Sequence, residues 1–446
     1  MKKYLAIITD MEQQIAEGAF KQGQKLPSVR SAAKGYGCSM STVIRAYEEL
    51  ERRHAIYSIP QSGYYVVEKA GSKRNEADSR AIDFSSASPD LNAVPYLDFQ
   101  HCINKAIDTY KYNLFTYGES KGLGKLRQTL ASHLANDQIF TTPDRIVVTS
   151  GVQQALEILA RMPFPNGNSV ILVEQPSYDI YLHFLETEGL PVSGIARSAD
   201  GIDLQELEER FRSGGIKFFY TMSRYHNPLG TSLRVEERKK IAELAAKYHV
   251  YIVEDDYMAD LGQEQTFASI YSYNESGHVI YLKSFSKIIF PGLRLGAAVM
   301  PERMLALFHT YKSYADTSLL SQAALEIYIK NGMYERHKRK IYSQYTPKIT
   351  QLIHSLDRYD ERGLIQFARE SAGIHTMFKL PITVNLDVLA SRLKARKVSV
   401  VTSRRFYLSG YLERDKFLRI SISRARLEQI DEGVKAIVEE TRRADG

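Results

Sequence analysis

Residues 284–296 read Ser-Phe-Ser-Lys-Ile-Ile-Phe-Pro-Gly-Leu-Arg-Leu-Gly. They follow the apolar run Val279-Ile280-Tyr281-Leu282, whose β-branched and aromatic residues suit a strand buried on both faces. A hydroxyl-rich turn bearing Lys287 thus leaves a strand end, and a Pro-Gly turn brings Arg294 a few residues later. Ser-x-x-Lys alone carries almost no information, because a single lysine is usually a solvated charge. Its surroundings carry more. Further candidate strands lie at 146–148, 170–173, 218–220 and 250–253, with helical patterns such as 151–161 and 234–249 between them. That alternation predicts an α/β unit with a mostly parallel sheet covered on both faces. From about residue 300 the pattern turns to long helices and a mixed segment ending in Phe417-Leu418-Arg419-Ile420-Ser421-Ile422, which predicts a smaller C-terminal α+β lobe.

The whole chain has 446 residues, of which 44% are apolar, 11% aromatic and 25% charged. This length exceeds a single small module, and the balance excludes wholesale disorder and collagen-like repetition. No run approaches the roughly 18 apolar residues of a membrane helix, and Asp10 and Glu12 interrupt any secretory signal, so no membrane association and a cytoplasmic location are expected. The two cysteines, Cys38 and Cys102, are too few for a disulfide framework or a zinc-cysteine site; both read as reduced, and no metal is expected. A net charge of +7 is too mild an excess to identify a partner.

Residues 1–68 read as a separate unit. Leu5, Ile8, Met11 and Ile15 recur at helical spacing; Ser28 can cap a second helix and Ser39 or Ser41 a third. Two β-prone runs around Pro60-Gln61-Ser62-Gly63 then predict a hairpin. Residues 69–81 lack an apolar period and read as a linker, which leaves 82–446 for the large unit. Helix, helix, helix and wing is the order of a winged helix-turn-helix, which places one helix in the major groove. Gly23-Gln24-Lys25-Leu26-Pro27-Ser28-Val29-Arg30, Ser39-Met40-Ser41-Thr42-Val43-Ile44-Arg45-Ala46-Tyr47 and Ser62-Gly63-Tyr64 together resemble the GntR family. The resemblance implies promoter double-stranded DNA as a partner, with Arg30, Ser41, Thr42, Arg45 and Gly63 at the interface. Met40 stands where that family often has arginine.

In the large unit, further motifs sit beside the strands. Thr149-Ser150-Gly151-Val152-Gln153 marks a strand-to-helix junction suited to phosphate. Glu174-Gln175-Pro176-Ser177-Tyr178, His226-Asn227-Pro228-Leu229-Gly230 and Glu254-Asp255-Asp256-Tyr257 follow or end other strands. A lysine for an imine, an acid for a pyridine nitrogen, phosphate donors and a flat ring are what a pyridoxal 5'-phosphate pocket requires. Taken together these segments resemble fold type I, class I aminotransferases. The resemblance implies Lys287 as the imine-forming lysine, with Gly151, Val152, Gln153, Ser284 and Arg294 at the phosphate and Tyr178 over the ring. Asn227 and Tyr257 would serve the phenolic oxygen and Asp255 the pyridine nitrogen, with Asp256 as its rival. Tyr117 would reach a neighbouring subunit's phosphate, and Arg419 would grip a ligand carboxylate.

A GntR-like winged helix joined to an aminotransferase-like domain resembles the MocR subfamily of bacterial regulators. That resemblance implies a head-to-tail homodimer that senses an amino acid, an amine or pyridoxal phosphate itself through aldimine exchange at Lys287. A working aminotransferase with an attached DNA-binding segment is the alternative. Arg224-Tyr225 and Lys283 depart from commoner family residues, which suggests an altered ligand shape or charge. The basic run Arg336-His337-Lys338-Arg339-Lys340 reads as a solvated helix face.

Overall fold

The computed structural model describes residues 3–21, 23–53, 55–67, 81–261, 268–312, 316–369 and 373–445. The chain forms two compact units, Met1–Ser79 and Arg80–Gly446. The linker expected at 69–81 lies outside the described residues, apart from Ala81.

The first unit packs α1 (Lys3–Ala16), α2 (Val29–Gly35) and α3 (Met40–Arg52) beside a hairpin of β1 (Ile56–Ile59) and β2 (Gly63–Val66). Ser28 caps α2 and Ser39 caps α3, each hydroxyl accepting from a backbone N–H in the first turn. Val43, Ala46, Tyr47 and Leu50 fall at helical spacing and bury against α1 and α2. On α1 the expected apolar face needs a correction. Ile7, Ile8 and Met11 are the buried residues, whereas Leu5 is 36% exposed. The helix therefore turns a slightly rotated face to the core, which the Leu5 register misses.

In the second unit, β3 (Ile82–Asp83), α4 (Tyr96–Tyr110) and α5 (Gly124–Ala135) precede an alternating series. It runs β4 (Ile146–Thr149), α6 (Val152–Arg161), β5 (Val170–Gln175), α7 (Asp179–Thr187), β6 (Val192–Ser198), β7 (Gly201–Ile202), α8 (Leu204–Arg212), β8 (Ile216–Thr221), α9 (Val235–Tyr248) and β9 (Tyr251–Asp256). β10 (Val279–Ser284) and β11 (Gly296–Val299) complete a sheet of order β4-β11-β10-β9-β8-β5-β6-β7. β10, β9, β8, β5 and β6 pair in parallel. β11 is antiparallel to both of its neighbours and lies outside the expected strands, because Gly-Ala-Ala-Val carries little β signal.

Every residue of β4, β8, β9 and β10 is buried, and alternate side chains feed two different cores. Ile252 and Tyr281 join one; Val253, Ile280 and Leu282 join the other. This two-sided burial is why the strands read as continuous apolar runs. Helices α10 (Glu302–Lys312), α11 (Leu319–Lys330) and α12 (Met333–Tyr359) lead to the last lobe. There β12 (His375–Lys379), α13 (Leu386–Ala395), β13 (Val398–Ser399), β14 (Val401–Thr402), β15 (Phe417–Ser421) and α14 (Leu427–Asp445) follow. β15 is the centre of a three-stranded sheet between β12 and β14, with Arg419 opposite Met377 and Val401.

Candidate functional site

A cavity of about 460 Å³ opens beyond the carboxyl ends of the parallel strands, where α/β sheets usually hold their ligands. Gly151, Val152, Gln153, Tyr178, Asn227, Asp255, Tyr257, Ser284, Lys287, Arg294 and Arg419 all line it. These residues come from the ends of the large sheet's strands, the turns and helix start beyond them and β15 of the last lobe, so the fold gathers groups that lie as much as 268 positions apart (419 − 151).

One end is built for an anion. α6 starts at Val152 after Gly151, which has φ 76° and supplies no side-chain cap, and Gly151, Val152 and Gln153 line the cavity, so an uncapped helix N-terminus borders it. Arg294 adopts the left-handed conformation and donates to the Ser150 carbonyl at 3.1 Å and to Gln153 Oε1 at 3.4 Å, neither of which carries charge. Positive charge is thus gathered at the positive end of a helix, an arrangement that an anion stabilises. Space is tight there. A Cβ on Gly296 would lie 2.9 Å from the Gly151 carbonyl carbon, and one on Gly151 3.2 Å from the Arg294 guanidinium.

At the other end, alternation along β9 separates the two candidate acids. Asp255 shares the face of Val253 and reaches the cavity; Asp256 turns to the opposite core. There Asp256 pairs with the Arg224 guanidinium, its Oδ1 3.0 Å from Nε, and accepts from Tyr281 at 2.8 Å. Asp255 Oδ2 accepts from Tyr220 at 2.9 Å, while Oδ1 has no partner among the described residues. Burial pushes its pKa up to about 7, with nearby Asp256 adding to the rise.

Lys287 Nζ donates to the Ala87 carbonyl at 2.8 Å. Burial lowers its pKa to about 8, and nearby Arg419 lowers it too. The amine is therefore neutral far more often than that of a surface lysine. Tyr178 accepts from Gln153 Nε2 at 3.0 Å, and Asn227 Oδ1 is buried without a partner among the described residues. Tyr257 donates its proton to the Tyr225 carbonyl at 2.8 Å, so its hydroxyl is engaged by the chain itself. Ser284 Oγ accepts from the Ser286 N–H at 3.3 Å. Arg419 holds the Ser85 carbonyl and lies 5.5 Å over Phe406, leaving Nε unpartnered among the described residues. Tyr117 stands apart, 98% exposed and outside the cavity lining.

Three sequence expectations change. Lys283 does not touch the cavity; it is buried on the other face of β10 with Asp260 at 3.0 Å and Asp137 at 3.2 Å. Arg224 is likewise committed to Asp256 rather than to a ligand. In the basic run of α12, His337 is buried against the Ile288 carbonyl at 2.7 Å and Lys338 faces Asp260 at 3.8 Å, so only part of that face is solvated. His133, Asp137 and Asp260 cluster as metal ligands would, but Lys283 already supplies the cation that both carboxylates share.

Some lining residues carried no sequence signal. Ser85, Ala87 and Ser88 follow β3, and Arg405 enters from the segment after β14, paired with Asp179 at 2.5 Å.

In the first unit Arg30, Ser41 and Arg45 are exposed, and Thr42 is half-buried. Ser39 Oγ lies 2.9 Å from Ser41 Oγ and 2.8 Å from Thr42 Oγ1. Arg45 lies 4.4 Å over the ring of Tyr4. Gly63 opens β2 with φ 124°, and a Cβ there would lie 3.3 Å from the Lys25 side chain.

The second unit has an aminotransferase fold: residues 81–437 match the family of class I and II aminotransferases, and residues 3–66 match the bacterial regulatory proteins of the gntR family. The chain therefore belongs to the MocR subfamily, gntR-type DNA-binding regulators fused to an aminotransferase-like domain. It is 45% identical over 443 residues to the uncharacterized HTH-type transcriptional regulator YcxD of Bacillus subtilis (strain 168), covering 98% of this chain and 99% of that protein. Its fold is similar to kynurenine aminotransferase of Pyrococcus horikoshii, solved with PMP (TM-score 0.75, 24% identity, 84% of this chain and 95% of that one). It is also similar to the α-aminoadipate aminotransferase LysN of Thermus thermophilus, solved with N-(5'-phosphopyridoxyl)-L-leucine (TM-score 0.74, 24% identity, again 84% and 95%). No helix among the described residues is long and apolar enough to cross a membrane.

Proposed function

We propose that the chain is a pyridoxal phosphate-dependent transcription regulator whose large unit senses a small amino acid, an amine or the cofactor itself. The observation that carries this reading is the pairing of opposite ends in one cavity. An anion cradle at Gly151 and Arg294 faces a half-satisfied buried carboxyl at Asp255, with the Lys287 amine in the same cavity. The phosphate fits the cradle, and a protonated pyridine nitrogen would give Asp255 Oδ1 the partner it lacks, which favours ionised Asp255. When bound, the cofactor supplies an aldehyde that condenses reversibly with amines and a ring that withdraws electrons.

The chain's own residues set the response. With the cofactor bound, Lys287 would be the amine that an incoming ligand amine must displace, and its lowered pKa keeps a nucleophilic fraction near neutral pH. Tyr178 offers a flat face, Asn227 a polar edge and Arg419 a guanidinium for a ligand carboxylate. Exposed Tyr117 suits a shared site in a head-to-tail homodimer, where it would meet the partner's phosphate. Ligand binding changes DNA affinity only if it favours one arrangement of the large unit over another.

A second reading, turnover as an aminotransferase, is favoured by one observation. A lysine with a pKa of about 8 can move a proton as well as hold an aldehyde. One experiment separates the two. Absorbance of the purified chain with pyridoxal phosphate is followed during titration with single amino acids, with promoter binding measured in parallel. A band shift with altered DNA affinity and no keto acid supports the regulator. Conversion to the aminic cofactor that keto acids reverse supports the enzyme, and no band at all overturns both.

A further inference from the structure

We infer that α3 reads thymine methyl groups, with Met40 and Ile44 as the residues that set sequence preference. This rests on the DNA-binding reading of the first unit and goes beyond it. Met40 and Ile44 are one helical turn apart, and they are 55% and 40% exposed on a helix whose other large apolar side chains are buried. Met40 is the first residue of α3, and the N-terminal residues of a recognition helix are those that meet base edges.

The polar alternatives around them are already engaged. Ser41 and Thr42 hydroxyls lie within 2.9 Å of the Ser39 cap oxygen. Arg45 rests over Tyr4 at 4.4 Å, while Arg52 and Arg53, at the far end of the helix, pair with Glu49. The leading turn of α3 thus presents two large apolar groups and no unengaged charged donor. In the major groove, the apolar feature of a base edge is the C5-methyl group of thymine. A bidentate contact to guanine, the commonest specific contact of arginine or lysine, has no side chain to make it from this turn.

The test uses the full chain. Duplexes that it retains from a random pool are sequenced, and each thymine in the selected half-site is replaced singly by deoxyuridine, which removes only the methyl group. At one or more half-site positions the wild-type chain is expected to bind the uridine duplex about three- to tenfold more weakly. Met40→Ala with Ile44→Ala is expected to bind both duplexes alike, with its salt-dependent binding to random duplex unchanged, which shows that the unit still folds. Met40→Leu with Ile44→Val should keep the discrimination. Selected half-sites without thymine, equal binding of thymine and uridine duplexes by the wild type, or discrimination that persists in the double alanine variant would each overturn the inference. Failure to retain any duplex would instead overturn the DNA-binding reading beneath it.

Discussion

The first unit keeps its chemistry in water, and the second buries it. Arg30, Ser41 and Arg45 are exposed on short helices, whereas Lys287, Asp255 and Arg419 sit in a cavity with most of their surface covered. The consequence shows in their protonation. No group of the second set keeps its ordinary pKa, because burial disfavours whichever form is charged and each neighbour then acts through little solvent. A solvated arginine acts as a long-range charge that salt weakens; a buried lysine becomes a selective nucleophile. Substitutions should therefore produce all-or-none effects in the cavity and graded ones on the winged helix.

The sharpest test is Lys287→Ala. Borohydride reduction should trap pyridoxal phosphate covalently on the wild-type chain and leave no adduct on the variant, as read by mass spectrometry, while circular dichroism shows the fold retained. An adduct of equal yield at another lysine would remove the basis of the contrast.

Next in size is the divergence of two adjacent acids. Asp256→Asn removes one partner of a buried ion pair with Arg224 and should cost about 3–5 kcal/mol of stability in denaturant unfolding. Asp255→Asn should not lower the stability of the cofactor-free chain near neutral pH and should raise it, because a carboxyl whose pKa burial raises costs the fold stability above the ordinary carboxylate range; yet it should weaken pyridoxal phosphate binding at least about tenfold. If the two variants behaved alike, alternation along β9 would not be what separates their roles.

A third test concerns pH. The Lys287 amine is depressed to about 8, so the rate of adduct formation should rise with pH and level off above about 8 rather than continue toward the range of a free lysine. Arg419 contributes to that depression, and removing its charge should let the amine hold its proton more tightly. The sign follows directly. In Arg419→Ala the midpoint of the rate profile moves to higher pH, and the response to carboxylate-bearing ligands is lost while the cofactor is kept. An unshifted midpoint would make burial alone responsible.

How much of this could be read in the sequence varies by region, for physical reasons. The sheet was legible because strands buried on both faces must be apolar throughout, and the turns at their ends stand out as polar breaks. Asp255, Lys287 and Arg294 lie in such turns or at their edges, within stretches whose composition already suggested a site. Period-two alternation would also have separated Asp255 from Asp256 and turned Lys283 away from the cavity, since Lys283 shares a face with Tyr281. Arg405 and the 85–88 turn were not legible, because they reach the cavity from distant segments and carry no local pattern. β11 escaped notice because glycine and alanine are weak strand formers held there by their neighbours on both sides. On α1 the apolar positions were too many to choose among, and packing against α3 selected Ile7 over Leu5.

The smallest expected effect lies on the exposed side of the comparison. Arg45 is the one charged residue in the first half of α3, and its place over Tyr4 fixes it toward α1. A guanidinium held there is expected to serve a phosphate rather than a base edge. Arg45→Ala should therefore weaken duplex binding by less than about tenfold, to a similar degree for selected and random sequences, and reduce the slope of affinity against salt by about one. Tyr4→Ala should weaken binding less, because the charge remains and only its orientation is lost. If Arg45→Ala instead relaxed preference at one base position, the arginine would have to leave Tyr4 on binding. The first unit would then rearrange to read DNA, and the contrast between an adaptable exposed surface and a preformed buried cavity would be sharper still.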